Sequence, residues 1–142
     1  MNSFRALLVD DEEEFLRTVM KRLKKRNVNA IGAGNGDEAL RQLAQHPVDV
    51  VVLDVKMPGM DGIQTLREIK ERFPLVEVVM LTAHASMEVA IEGMELGAFD
   101  YLMKPVDIDE LLYKLQDAYK KKSIQEDKIK NIKELNKEEG ER

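Results

Sequence analysis

The sequence predicts an α/β fold, in which one open, doubly wound parallel sheet carries helices on both faces. Five short apolar runs alternate with five segments of helical spacing, and such alternation is typical of this architecture. Three of the runs, ALLV, VDVVVL and VEVVML, are almost continuously apolar, as expected of strands covered on both faces. The predicted strands lie at residues 6–9, 28–31, 48–53, 76–81 and 98–103.

The segments between these runs have the spacing of amphipathic helices. In the first segment, Phe15, Val19 and Leu23 recur every four residues, which places them on one side of a helix. Three polar residues at helix starts are predicted N-caps, namely Asp37, Ser86 and Asp107. Three residues are predicted to mark helix ends, namely Pro47, Pro74 and Gly97.

Length and composition limit the class of protein. The 142 residues suit one domain with roughly twenty residues to spare. The chain has no Cys and two His, which excludes a disulfide framework, thiol catalysis and a His-built zinc site. The apolar runs are too short to cross a membrane, and the early acidic stretch DDEEE is unlike a signal peptide. We therefore expect a cytoplasmic protein without membrane association.

Charge is divided unevenly along the chain. Residues 1–119 carry 14 basic and 21 acidic side chains, net −7, whereas residues 120–142 carry eight and six, net +2. Because nucleic-acid phosphates demand a basic face, we expect no direct nucleic-acid binding by residues 1–142. Residues 121–142 are predicted to form a charged extension, helical or partly disordered, with a disordered glutamate-rich end. A dimerising helix and the start of a linker to an output domain are alternatives.

Polar side chains follow the predicted strands at the same end of each strand. Asp10 and Asp11 follow the first strand and Asp54 follows the third. Thr82 ends the fourth strand and Lys104 follows the fifth. Since ligands of open α/β sheets bind at the carboxyl ends of the strands, these five residues are expected to share one crevice.

This set of groups suits phosphoryl chemistry. Three neighbouring carboxylates repel one another and favour a bound divalent cation. Hard oxygen ligands without His or Cys select Mg²⁺, or Mn²⁺, over zinc. One carboxylate can then attack phosphorus as a nucleophile, while the metal, the lysine and the threonine hydroxyl neutralise the transferred group.

Each of these residues alone has a more ordinary explanation. Asp10 and Asp11 could cap the first helix, which is compatible with metal binding because both use the start of a helix. Asp54 could be a solvated turn residue, and Lys104 could be a surface lysine. The joint occurrence of the set at the ends of four strands argues for a shared site.

Four separate motifs resemble the receiver domain of two-component response regulators. They are VDD at 9–11, VVVLDVKMPGMDG at 50–62, VVMLTAHA at 78–85 and DYLMKP at 100–105. The resemblance implies a receiver domain at residues 1–120 with a flavodoxin-like sheet of order 2-1-3-4-5 and five helices. The fifth helix is expected to continue into the extension at 121–142.

The resemblance also implies roles for the acidic residues. Asp54 is the expected phosphoacceptor. Asp11 is the expected direct metal ligand, and Asp10 holds the metal through water or orients another ligand. Asp54 itself and the backbone carbonyl of Lys56 complete the expected metal site.

Further roles follow from the same resemblance. Lys104 is expected to bind the phosphoryl oxygens. Thr82 is the expected switch hydroxyl, which also assists the transfer, and Tyr101 is the expected switch aromatic. Lys56 and His84 stand at positions that tune how fast water removes the phosphoryl group.

The implied function is that of a phosphorelay switch. A sensor histidine kinase or a histidine phosphotransfer protein donates a phosphoryl group to Asp54 with Mg²⁺. The face made by the fourth helix, fifth strand and fifth helix then changes and controls a partner or an output domain, in transcription for example. The domain catalyses only its own phosphorylation and dephosphorylation, and it could form a homodimer through that face or the C-terminal helix. The resemblance further implies a cis bond between Lys104 and Pro105.

Two other functions are alternatives to this one. A phosphate-independent interaction module, or degenerate receiver, would be favoured by loss of the acidic pair or of Lys104, and neither is lost. A phosphatase or phosphotransferase with an aspartate nucleophile would need a second Asp two residues later, where this chain has Lys56.

Overall fold

The computed structural model describes residues 3–55, 62–83 and 87–140 of the chain. Five strands and five helices alternate along the described sequence. Their order and bounds are β1 (Arg5–Val9), α1 (Glu13–Lys25), β2 (Asn29–Ala33), α2 (Gly36–Gln45), β3 (Val50–Asp54), α3 (Gly62–Arg72), β4 (Glu77–Thr82), α4 (Met87–Glu95), β5 (Asp100–Met103) and α5 (Ile108–Gly140).

All strand pairs in the sheet are parallel, and the strand order is β2-β1-β3-β4-β5. The pairing register brings the carboxyl ends of the strands together. Val9 at the end of β1 pairs with Leu53 in β3, and Thr82 at the end of β4 pairs with Met103 in β5. The fold class, the strand order and the number of helices predicted from the sequence are therefore confirmed.

Two apolar cores cover the two faces of the sheet. Leu7, Val51 and Met80 belong to the core on the side of α2, α3 and α4. Leu8 and Val52, each next in sequence to a member of the first core, belong to the core on the side of α1 and α5. Because successive side chains of a strand point to opposite faces, a strand buried on both faces needs a continuously apolar run, which is the pattern of β1, β3 and β4.

Two of the predicted helix caps can be compared with the structure. Asp107 caps α5, because its carboxylate accepts the backbone N–H groups of Asp109 at 2.9 Å and Glu110 at 3.4 Å. The prediction of Asp37 as the cap of α2 is wrong. Asn35 caps this helix and accepts the backbone N–H of Glu38 at 2.9 Å. Asp37 is two residues further on, in the first turn of α2.

The predicted helix ends agree with the structure. Gly97 follows α4 with φ = +104°, in the left-handed region that favours glycine. Pro47 and Pro74 follow the ends of α2 and α3. The predicted cap Ser86 lies outside the described residues.

The fifth helix is a single helix of 33 residues. Near its middle, α5 is joined to the sheet by ion pairs of Lys122 with Asp49 and of Lys121 with Glu77. Beyond these residues it carries four exposed apolar side chains, namely Ile124, Ile129, Ile132 and Leu135. The helix includes Glu138, for which disorder was expected. Within the described ranges, no helix combines the length and the apolar character that crossing a membrane requires.

Candidate functional site

Four neighbouring strands bring the polar residues predicted from the sequence to one edge of the sheet. Asp10 follows β1, where its backbone N–H donates to the carbonyl of Ala33. Asp54 and Thr82 are the last residues of β3 and β4, and Lys104 directly follows β5. The backbone N–H of Lys104 donates to the carbonyl of Thr82 at 2.9 Å. These bonds extend the parallel pairing into the site, so Asp10 and Lys104 are held by the hydrogen bonds of the sheet.

Three carboxylates form a compact cluster at this edge. Asp10, Asp11 and Asp54 each offer an oxygen that lies within 4.8 Å of the others. Asp10 is 1% exposed and Asp54 is 7% exposed, whereas Asp11 is exposed. Like charges at this separation and burial repel each other strongly. The cluster therefore fits a hard divalent cation, which takes oxygen ligands and keeps several waters on its exposed side.

Lys104 provides the positive charge that the described residues bring to this cluster. Its ammonium lies 2.9 Å from Asp10, 3.6 Å from Asp54 and 3.9 Å from Glu12. Burial of the ammonium acts to lower the pKa of Lys104, but the hydrogen bond to Asp10 and the charges of Asp54, Asp10 and Glu12 outweigh it and raise that pKa above its ordinary value. Lys104 is therefore held in its charged form beside Asp54.

Asp10 uses both of its carboxylate oxygens. One oxygen accepts the backbone N–H of Glu12 at 2.9 Å, and the other accepts a hydrogen bond from Lys104 at 2.9 Å. Glu12 is the N-cap residue of α1 and makes no side-chain capping bond of its own. Asp10 therefore positions the residue that precedes α1 and also faces the site. The N-cap of α1 is Glu12, so the alternative that Asp10 or Asp11 caps this helix is wrong.

Two residues near Lys104 were not predicted as site residues. The Glu12 carboxylate lies 3.9 Å from the ammonium, and the ammonium lies 4.4 Å from the centre of the Phe15 ring. Phe15 was assigned only to the apolar side of the first helix. Phe15 lies in the first turn of α1, beside the strand ends. Helical spacing alone does not distinguish this position from the other apolar positions of the helix.

The contacts of the two expected switch residues, Thr82 and Tyr101, are with groups outside the acidic cluster. The Thr82 hydroxyl donates to the backbone carbonyl of Ala83 at 3.0 Å. Tyr101 is 36% exposed on the edge strand β5, where it pairs with Met80. The tyrosine side chain thus borders solvent in this conformation.

Not every predicted site residue is described. Lys56 and His84 lie outside the described residues, so their expected roles stay predictions. The peptide bond between Lys104 and Pro105 is cis, as the resemblance implied.

Gly62 brings the start of α3 close to the end of β3. A Cβ atom at this position would collide with the Cα of Val55 and would lie 2.7 Å from the carbonyl oxygen of Asp54. Both neighbours are backbone atoms, which cannot turn aside as a flexible side chain can. A side chain at Gly62 would therefore push α3 away from the strand that carries Asp54.

The chain is similar to several known proteins. Residues 6–116 match the family model described as the response regulator receiver domain. The DNA-binding transcriptional regulator NtrC of Salmonella typhimurium is 40% identical over 111 residues, which cover 78% of this chain and 24% of that protein.

Solved structures are also similar to this chain. A response regulator receiver domain protein from Clostridium thermocellum has a TM-score of 0.82 and 34% identity, covering 86% of this chain and 98% of that one. A chain described as adenylate cyclase from Rhodopirellula baltica has a TM-score of 0.87 and 26% identity, covering 93% of this chain and 98% of that one. The chain spans about a quarter of the length of the curated relatives that it matches, between 24% and 27% of the NtrC, NtrX-like and AtoC proteins.

Proposed function

The chain belongs to the response regulator receiver domain family, and from this premise we propose that it is a phosphorelay switch whose phosphoacceptor is Asp54. The observation that carries the proposal is the distance of 3.6 Å between the Lys104 ammonium and the Asp54 carboxylate, beside the carboxylates of Asp10 and Asp11. The candidate nucleophile Asp54, the Lys104 ammonium and a set of candidate metal ligands thus lie together at the carboxyl ends of the strands.

The proposed reaction is a phosphoryl transfer to Asp54. One Asp54 oxygen forms a new bond to phosphorus while the bond between phosphorus and the donor breaks, and the donor keeps the bonding electrons. For a phosphohistidine donor the leaving group is the imidazole, and for acetyl phosphate it is acetate. Such a transfer depends mainly on positioning and on neutralisation of charge, so no general base is required of this chain.

Asp10, Asp11, Asp54 and the backbone carbonyl of Lys56 would hold Mg²⁺, or Mn²⁺. When bound, the cation would supply neutralisation of the negative charge on the transferred group. Lys104 binds a second phosphoryl oxygen through its ammonium. The Thr82 hydroxyl is one residue beyond the register partner of Asp54, Leu81, and turns from the Ala83 carbonyl to the phosphoryl group.

The proposed switch acts through the exposed face of α4, β5 and α5. That face carries exposed apolar side chains, namely Ile91, Met94, Tyr101, Met103 and Tyr113. Movement of Thr82 towards a phosphoryl group leaves space into which Tyr101 can turn, which changes this face. A contact that only the phosphorylated state can make shifts the population towards that state.

Partners of the switch follow from the family. We propose that a sensor histidine kinase or a histidine phosphotransfer protein in the cytoplasm phosphorylates Asp54. The α4–β5–α5 face, or the exposed apolar side chains of α5 beyond Lys122, would serve a homodimer. Similarity to NtrC favours control of transcription, although the acidic residues 1–119 are a poor surface for direct contact with DNA.

Lys56 and His84 are proposed to tune the lifetime of the phosphorylated state. A cationic or imidazole side chain next to the phosphoryl group can block or orient the attacking water. The lifetimes of phosphorylated Lys56→Ala and His84→Ala test this role. Unchanged lifetimes in both variants would overturn it.

Intact-mass measurement tests the proposed function. With acetyl phosphate and Mg²⁺ the protein is expected to gain the mass of one phosphoryl group, and Asp54→Ala is expected to gain none. Lys104→Met is expected to react more slowly, while Lys120→Met, at an exposed lysine, serves as the matched control. No gain with acetyl phosphate or with a cognate kinase would favour the phosphate-independent interaction module.

A further inference from the structure

Among the described residues, the aromatic ring of Phe15 is an uncharged partner of the Lys104 ammonium. The ammonium lies over the face of this ring, 4.4 Å from the ring centroid. This distance is within the range of about 6 Å in which the negative face of an aromatic ring attracts a cation. The lysine side chain is 22% exposed, so the contact is partly shielded from water.

The Phe15 ring is placed by the start of α1 and by packing against the core. Phe15 is the third residue of α1, and the start of this helix is held by the hydrogen bond from the Glu12 backbone N–H to Asp10. The ring is partly buried and packs against the apolar core on the side of α1 and α5. The ring that Lys104 contacts is therefore held by packing against the core.

The charged partners of Lys104 differ from the ring in one respect. Asp10 and Asp54 belong to the acidic cluster, so their attraction for the ammonium changes when the cluster binds another cation or a phosphoryl group. The Glu12 side chain is 69% exposed and 3.9 Å away, and such a pair contributes little. The ring carries no charge and does not belong to the acidic cluster, so its attraction for the ammonium does not change in this way.

We propose that Phe15 is a positioning residue for the phosphorylation of Asp54, because its ring keeps the Lys104 ammonium at the site while the lysine exchanges its hydrogen bond to Asp10 for one to the phosphoryl group. The inference rests on the proposed function. It adds a residue of α1 to a site whose other members lie at strand ends.

The expected effect is on the rate of phosphoryl transfer. Phe15→Leu keeps an apolar side chain but has no ring face, and we expect the rate constant with acetyl phosphate to fall by about two- to tenfold, the range that a partly exposed cation–π contact supplies. Phe15→Tyr and Phe15→Trp keep a ring face and are expected to retain most of the rate.

A fluorination series separates the ring electrons from the shape of the side chain. Phenylalanine with one, two or three ring fluorines at position 15 has nearly the same shape but a progressively less negative ring face. The rate constant is expected to fall stepwise along the series. The same series at Phe4, whose ring stacks on Tyr119 with centroids 5.1 Å apart, is expected to leave the rate unchanged. A flat series at position 15 would overturn the proposal.

A second measurement does not depend on phosphorylation. In the unphosphorylated protein, the NMR signals of the Lys104 side-chain CH₂ group next to the ammonium are expected to be shifted upfield by the ring current of Phe15, and Phe15→Leu is expected to remove the shift. Absence of the shift would overturn the inference even if Asp54 is phosphorylated. If the shift is present but Asp54 accepts no phosphoryl group, the proposed function fails and the contact has no role in transfer.

Discussion

The Lys122 ammonium lies 2.9 Å from the Asp49 carboxylate. Asp49 directly precedes β3, so it lies at the opposite end of that strand from Asp54. Its other carboxylate oxygen accepts the backbone N–H of Arg5 at 2.9 Å. Lys122 also binds Glu126 one turn further along α5, at 3.1 Å. Lys122 thus joins the middle of α5 to the amino-terminal ends of β1 and β3.

Removal of this lysine is expected to destabilise the fold. Lys122→Met keeps most of the apolar stem but leaves the Asp49 carboxylate without its cation. We expect a loss of about 1.5–3 kcal/mol in the free energy of unfolding, the range for hydrogen bonds to charged groups. Urea titration measures this loss. Lys120→Met, two residues earlier and exposed, is the matched control, and an equal effect of both substitutions would contradict the prediction.

The same ion pair predicts a dependence of stability on pH. Burial acts to lower the pKa of Lys122, but the hydrogen bonds to Asp49 and Glu126 and the charges of both carboxylates outweigh it, so the pKa is raised above the ordinary value of 10.5. The folded protein then holds this proton more tightly than the unfolded chain. The stabilising contribution is complete below 10.5 and is lost as the pH rises through the folded-state pKa.

The difference in unfolding free energy between the wild type and Lys122→Met should therefore be constant from neutral pH up to about 10. It should become smaller at more alkaline pH. Urea titrations of both proteins across this range measure the difference. A difference that grows with alkaline pH would mean that the ion pair is not its source.

Gly62→Ala tests the close approach of α3 to the end of β3. The new methyl group would meet the backbone of Val55 and Asp54 at less than 3.0 Å, so α3 has to shift. We expect a loss of about 1–3 kcal/mol in stability, typical of overpacking, together with slower phosphorylation of Asp54. Gly34→Ala is the control, since its nearest neighbour is the Glu38 carboxylate at an ordinary 3.7 Å. Equal stability of the two variants would refute the steric argument.

Helix α2 offers a test of the corrected cap. Asn35→Ala removes the acceptor of the Glu38 backbone N–H and should cost about 1 kcal/mol. Asp37→Ala removes only a first-turn charge and should cost less, about 0.3–1 kcal/mol at low ionic strength. Thermal unfolding of both variants gives the comparison. A larger effect at Asp37 would restore the original prediction from the sequence.

The sequence predicted most features that depend on one strand or helix at a time. The apolar runs predicted the strands because both faces of β1, β3 and β4 are buried, and the polar residues at their ends predicted the site. The cap of α2 was missed because Asn35 and Asp37 are both suitable capping residues, and only the backbone conformation distinguishes them. Phe15 was missed as a site residue because its contact with Lys104 joins the start of α1 to the end of β5, 89 residues apart in the chain.

The most direct test of the account locates the acyl phosphate. Borohydride reduces an aspartyl phosphate to the corresponding alcohol, so peptide mass spectrometry can identify the residue that carried the phosphoryl group. After reaction with acetyl phosphate and Mg²⁺, we predict reduction at Asp54, none at Asp10 or Asp11, and none when Mg²⁺ is removed with a chelator. Reduction at Asp10 or Asp11 in place of Asp54, or no reduction in the presence of Mg²⁺, would contradict the assignment of Asp54 as the phosphoacceptor.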